Sequence, residues 1–135
     1  LDSHIKLPKV NTALKQLKKF DFKCFKDTSS FFAMTAHILY IKIDKKKNAT
    51  HSETIIKKII RKEIGFKGIL ISDDISMKAL KHSLIKNADL ALKAGCNLVM
   101  YCAGNAKDMK KLLNTIPYID KFTAKKTSEF YKFLS

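Results

Sequence analysis

The chain has 135 residues, a formal net charge of +15 and an apolar fraction of 46%, enough for one domain with its own core but short of the roughly 250 residues of a complete (β/α)8 barrel. No apolar run approaches the ~20 residues that cross a bilayer, so no membrane partner is expected. Of 27 basic residues only Arg61 is an arginine, which argues against specific nucleic-acid reading, where bidentate Arg contacts are favoured, and leaves a basic nucleic-acid-binding module as an alternative resting on charge alone.

Between Lys9 and Phe20, the apolar residues Val10, Ala13, Leu14 and Leu17 recur at helical spacing with basic residues opposite, predicting an amphipathic helix. The run Phe31-Phe32-Ala33-Met34-Thr35-Ala36, set between Ser29-Ser30 and His37, predicts a buried strand. After a lysine-rich loop over 42–48, Ser52 with Ile55, Ile56, Ile59 and Ile60 predicts a capped amphipathic helix ending before Gly65. Gly68 to Ser72 reads as a second strand, followed by a short helix from Met77 and another from Asn87 to Ala94, stopped by Gly95. Asn97-Leu98-Val99-Met100-Tyr101 reads as a third strand, and Asp108 to Asn114 and Asp120 to Leu134 as closing helices. Strands separated by helices of this length imply right-handed βαβ units and a parallel sheet, hence an α/β fold. Three such strands leave two edges unpaired. The expected architecture is therefore about three parallel βα units, the C-terminal part of a TIM (β/α)8 barrel over residues 1–135, with its N-terminal half missing. The opening Leu1-Asp2-Ser3-His4 accordingly reads as the middle of a longer protein.

Chemistry concentrates in Ser72-Asp73-Asp74-Ile75-Ser76-Met77, directly after the apolar run Gly68-Ile69-Leu70-Ile71. The C-terminal tips of barrel strands are where catalytic residues gather. An acid pair beside a core is costly unless it is partnered, so it needs an explanation. For Asp74 that explanation can be a cap for the segment starting at Ser76; Asp73, nearer the strand, points to chemistry. Asp2, His4, His37 and Asp73 are all expected on the same face, because parallel strands end together. A carboxylate two residues from an imidazole suits a general acid/base, which Asp2 and His4 could supply. His37 reads either as a structural histidine satisfying the strand-end loop or as a group facing substrate. His51 and His82 are expected to be exposed and without a role. Cys24, Cys96 and Cys102 are odd in number and lack metal-like spacing, which suggests reduced thiols in a cytosolic protein and no metal or cofactor. A metal-dependent hydrolase using Asp2, His4, His37 and Asp73 as ligands is the competing enzyme reading.

Taken in order, Asp2-Ser3-His4, Leu7-Pro8, Met34-Thr35-Ala36-His37-Ile38, Ile43-Asp44, Ala49-Thr50 with Ser52, Arg61-Lys62-Glu63-Ile64-Gly65-Phe66, Ser72-Asp73-Asp74-Ile75-Ser76-Met77-Lys78-Ala79 and Ala94-Gly95 resemble the bacterial β-N-acetylglucosaminidases of glycoside hydrolase family 3. The resemblance runs from Leu1 to about Gly104 and then fades into generic helix. It implies a cytoplasmic enzyme of cell-wall recycling that removes terminal N-acetylglucosamine from 1,6-anhydro-muropeptides. It also implies a retaining mechanism with Asp73 as nucleophile, His4 as acid/base and Asp2 as its dyad partner, with Met77 close to the sugar. The chain departs from the family pattern at Cys24, where proline is common before a phenylalanine, and it lacks the family's Lys-His-Phe-Pro-Gly-His-Gly segment and upstream Asp and Arg. The isolated chain is therefore expected to be inactive or nearly so.

Overall fold

The computed structural model describes residues 5–26 and 29–135. At its centre is strand β4, Ile69–Asp74, flanked by β2 (Phe32–Met34) and β5 (Leu98–Met100) in a three-stranded sheet of order β2-β4-β5. Both pairings are parallel, with Phe32 opposite Ile69, Met34 opposite Ile71 and Ile71 opposite Leu98. A second, two-stranded parallel sheet joins β1 (Lys9–Val10) to β3 (Leu39–Tyr40). The expected α/β class and the three central strands are present.

β4 is central because it is apolar on both faces: Ile69 and Leu70 are essentially fully buried, as parallel strands covered on both sides must be. Each such side chain contributes on the order of 1.5–3 kcal/mol relative to its exposed state. One layer over the sheet comes from a wide π-type helix, Thr54–Ile64, which buries Ile55, Ile56 and Ile59 and ends at Gly65 with φ 82°. Its neighbour α2 (Leu84–Ala94) begins at Ser83, whose side chain accepts the Lys86 amide, and stops at Gly95 with φ 118°. Ala88, Ala91 and Ala94 form its buried stripe, and their small size lets the helix approach closely. Ile56, Phe66, Leu70, Ala91, Ala94 and Cys96 make one core cluster; Ile75, Leu80, Ala88 and Leu112 make a second. Helices α3 (Ala106–Thr115) and α4 (Lys121–Leu134) are capped by Asn105 and Asp120. At the opposite end of the sheet from the acid pair, Arg61 ties three elements, donating to the carbonyls of Phe66 at 3.1 Å and Gly68 at 2.7 Å and to Asn97 Oδ1 at 2.6 Å. There Gly68 is required: a Cβ would sit 2.4 Å from the Phe31 carbonyl oxygen, where β4 enters beside β2.

Three expectations are corrected. The helix expected from Lys9 begins only at Leu14, as α1 (Leu14–Lys19), because Lys9 and Val10 are drawn into the ladder with β3. No helix starts at Met77: residues 75–82 form turns held by Met77 N–H to Asp74 O at 3.2 Å and Leu80 N–H to Met77 O at 3.0 Å. His51 is buried, only 5% exposed, while His82 is exposed as expected.

Candidate functional site at the strand tips

Because β2, β4 and β5 are parallel, their C-terminal ends bring Thr35–His37, Asp73–Asp74 and Tyr101–Cys102 to one edge of the sheet. The ladder between β4 and β5 slips there. Ile71 faces Leu98 and Asp74 faces Met100, so β4 carries one more residue than its partner over this stretch. Such a bulge re-aims side chains and is common beside active sites. Ser72, fully buried in the slip, accepts the Met100 amide at 3.0 Å and so replaces a ladder bond that the bulge removes.

The two aspartates differ sharply in their surroundings. Asp74 Oδ1 accepts the Ser76 amide at 3.0 Å and the Cys102 amide at 3.2 Å, and both of its oxygens receive the Ser76 hydroxyl, at 2.8 and 2.7 Å. Partial burial alone would raise its carboxyl, but these donors outweigh it and hold Asp74 below its ordinary range. Asp74 is consumed by holding the turn and the β5 exit. Asp73 is half-buried, and its carboxylate has one hydrogen bond among the described residues, from the Asp74 amide to Oδ1 at 2.9 Å. Its own amide donates to Thr35 Oγ1 at 3.4 Å. A carboxylate anchored through one oxygen at a strand tip is the arrangement expected of a nucleophile or a base.

His37 is completely buried, and both of its ring nitrogens are engaged: Nδ1 with Thr50 Oγ1 at 2.8 Å and Nε2 with the Asp74 carbonyl at 2.9 Å. Thr50 Oγ1 in turn meets Thr35 Oγ1 at 2.9 Å. Of the two readings of His37, this geometry is that of a histidine satisfied within the protein, and a metal could reach either nitrogen only by breaking one of these bonds. Met77, whose proximity to a sugar was expected, is largely buried, with its amide on the Asp74 carbonyl. Asp2 and His4 lie outside the described residues. Thr35 and Thr50 carry the connections around Asp73 and had no role assigned from sequence; a hydroxyl one residue past β2 was the available signal, although that strand, expected to be buried, is partly exposed, with Met34 57% exposed.

Beside this network, His51 accepts from the Asn48 side-chain amide at 3.4 Å through Nδ1, while Nε2 is buried without a partner among the described residues. Burial first, and after it the neighbouring His37, push its pKa down from 6.5 to about 4; the Asn87 backbone opposes this, and His82 and Lys47 add smaller effects in the downward direction. Asp44 fastens the same loop: burial would raise its carboxyl, but the Ser52 hydroxyl at 2.7 Å and the Lys46 and Lys47 amides, each at 3.0 Å, keep it low. A hollow of about 560 Å³, lined by Phe31, Gly68 and Lys126 among others, lies at the N-terminal ends of the strands, away from Asp73. No helix among the described residues is long and apolar enough to cross a membrane.

Residues 1–125 match the model of the glycosyl hydrolase family 3 N-terminal domain, so the match continues beyond Gly104, where the sequence resemblance was expected to fade. A β-hexosaminidase of Neisseria meningitidis serogroup C is 35% identical over 106 residues, covering 75% of this chain and 29% of the relative. A β-hexosaminidase of Idiomarina loihiensis is 31% identical over 131 residues, covering 94% of this chain and 39% of the relative. Among solved structures, NagZ from Neisseria gonorrhoeae in complex with N-trifluoroacetyl-D-glucosamine superposes with a TM-score of 0.77 at 27% identity, over 94% of this chain and 37% of that one. The chain thus spans between 29% and 39% of the length of these proteins.

Proposed function

Since the chain belongs to glycosyl hydrolase family 3, we propose that it carries the nucleophile-bearing part of a retaining β-N-acetylhexosaminidase. The observation that carries this reading is the contrast at the strand tip, with Asp74 fully occupied by donors and Asp73 held through one carboxylate oxygen. On this reading Asp73 attacks the anomeric carbon of a terminal β-linked N-acetylglucosamine. The C–O bond to the leaving group breaks through an oxocarbenium-like transition state, and a glycosyl-enzyme ester forms. His4 gives its proton to the departing oxygen, then takes one from the water that hydrolyses the ester, with Asp2 orienting the ring. An imidazole here replaces the second carboxylate of the usual pair, and its ordinary pKa lies near working pH. Met77 supports the turn below the sugar, and His37 acts from behind Asp73.

The substrate class we assign is N-acetylglucosamine attached to 1,6-anhydro-muropeptides, handled in the cytoplasm during cell-wall recycling. Architecturally, we assign residues 1–135 to the C-terminal part of a TIM barrel, in which further strands pair with the outer edges of β2 and β5. An unpaired edge and an incomplete sugar-binding face leave the reacting groups poorly held, and near-attack geometry is what catalysis depends on. The 135-residue chain by itself is therefore inactive, and turnover requires the segment that completes the barrel.

The test is release of 4-nitrophenol from its N-acetyl-β-D-glucosaminide by the completed barrel. Asp73→Ala should lower the rate by about a thousandfold or more, and added azide should restore turnover as the inverted glycosyl azide. Asp74→Ala should lower thermal stability more than it lowers turnover. Near-normal rates for Asp73→Ala would overturn the assignment.

A further inference from the structure

The polar groups behind Asp73 form a chain whose direction follows from the Asp74 carbonyl when the His37 ring is neutral. The Asp74 carbonyl can only accept, so His37 Nε2, 2.9 Å away, carries a proton. In the neutral ring Nδ1 is then bare and accepts the Thr50 hydroxyl at 2.8 Å. The Ala36 carbonyl, 3.4 Å from Thr50 Oγ1, is a longer and weaker competitor for that proton; with the proton on the 2.8 Å bond to Nδ1, Thr50 Oγ1 accepts from the Thr35 hydroxyl at 2.9 Å. Thr35 Oγ1, its proton given away, is left to accept the Asp73 amide at 3.4 Å. The chain therefore begins on the N–H of Asp73 and ends on the C=O of Asp74, closing a loop around the backbone that bears the acid pair. Thr35, His37 and Thr50 are all buried, at 5%, 0% and 0% exposure, so water does not compete for these bonds.

The loop has a mechanical purpose that the ladder leaves unfilled. The register slip between Ile71 and Asp74 removes regular strand pairing on the β5 side just where Asp73 must be held. On the β2 side, the last backbone bond is Thr35 N–H to Ile71 O at 2.9 Å, two residues short of Asp73. Side chains take over from there.

We propose that His37, through Thr50 and Thr35, is a positioning residue that clamps the Asp73–Asp74 segment in its bulged conformation and so aims the Asp73 carboxylate. This rests on the reading of Asp73 as nucleophile, but the clamp itself can be tested separately. Val matches Thr in shape while lacking the hydroxyl, and Ser keeps the hydroxyl. In the completed barrel, Thr50→Val should lower kcat roughly 10- to 100-fold with KM changed less than about twofold, the size expected for a displaced reacting group. Thr50→Ser should recover most of that loss. Nitrogen-15 NMR of the His37 ring should show the proton on Nε2 and a bare Nδ1, and Thr50→Val should shift the Asp73 amide while thermal melting confirms folding. A folded Thr50→Val protein with full kcat, or with kcat and KM changed alike, overturns the positioning role, as does an Nδ1–H ring in the parent. If the completed barrel hydrolyses no N-acetylglucosaminide at all, the glycosidase reading fails. The ring tautomer and the Asp73 amide shift then still decide whether the clamp exists.

Discussion

Acidification from pH 6.5 to 4.5 is predicted to destabilise this fold through His51, and the amount follows from where the ring sits. The imidazole is 5% exposed and its Nε2 is buried without a partner among the described residues, and the nearby Lys47 charge opposes a second positive charge there. Folding lowers its pKa from 6.5 to about 4. Between those values the unfolded chain binds a proton that the folded chain does not. Stability is therefore complete above the unfolded value and declines as pH falls toward the folded one. At about 1.4 kcal/mol per pH unit, the loss by pH 4.5 is on the order of 2–3 kcal/mol, a sizeable share of the roughly 5–15 kcal/mol that holds a typical domain together. The depressed carboxylates Asp44, Asp74, Asp89 and Asp120 act in the same direction but begin to lose their contribution only near their unfolded value of 3.8, below this window, while Glu53 and Glu129, with an ordinary value of 4.5, are exposed and screened and affect parent and variant alike. The assay is urea unfolding at fixed ionic strength across this pH range, comparing the parent with His51→Leu, which keeps an apolar side chain of similar bulk. The parent's midpoint should fall with pH while the variant's stays nearly level. Equal acid slopes in the two proteins would refute the argument.

Two further outcomes are expected. His4→Ala in the completed barrel should slow substrates with poor leaving groups most, because protonation of the departing oxygen matters least for activated aryl glycosides; equal losses on both kinds, read from paired kcat/KM values, would make His4 a sugar-binding group. Gly68→Ala should cost about 3 kcal/mol in denaturant titration, since the added Cβ meets backbone, the Phe31 carbonyl at 2.4 Å, which cannot swing aside.

Much of this arrangement is legible in the chain because it is local. β4 announces itself through Ile69-Leu70-Ile71 ahead of a polar tip, and the buried helix faces through isoleucines at helical spacing closed by Gly65 and alanines closed by Gly95. What escapes is non-local. Lys9 and Val10 carry a helical pattern, yet pairing with Leu39 and Tyr40 overrides it. The short helix expected from Met77 does not form, and Ile75, Met77 and Leu80 are buried by tertiary contacts that a series of turns satisfies as well. His51 lies among polar residues and reads as surface; its burial depends on the loop that Asp44 and Ser52 fasten. The place of Asp73 at a strand tip was legible, whereas the Thr35–Thr50 contact joins residues fifteen apart and no periodicity marks it. The expected acid/base pair, Asp2 and His4, lies outside the described residues.

The extra residue in β4 opposite Leu98–Met100 has a consequence for how this sequence can drift. In a regular strand, neighbouring side chains alternate between faces, so a carboxylate's aim depends on whether its place in the count is odd or even. Losing Ser72 would restore a regular ladder with β5 and turn the Asp73 carboxylate toward the other face, although both aspartates were retained. Gaining one would leave β4 two residues longer than β5 over this stretch and would also change the face on which a carboxylate emerges. Over these four positions the chain is constrained in number as well as in kind: conservative exchanges can keep the aim of Asp73 where a single-codon deletion cannot.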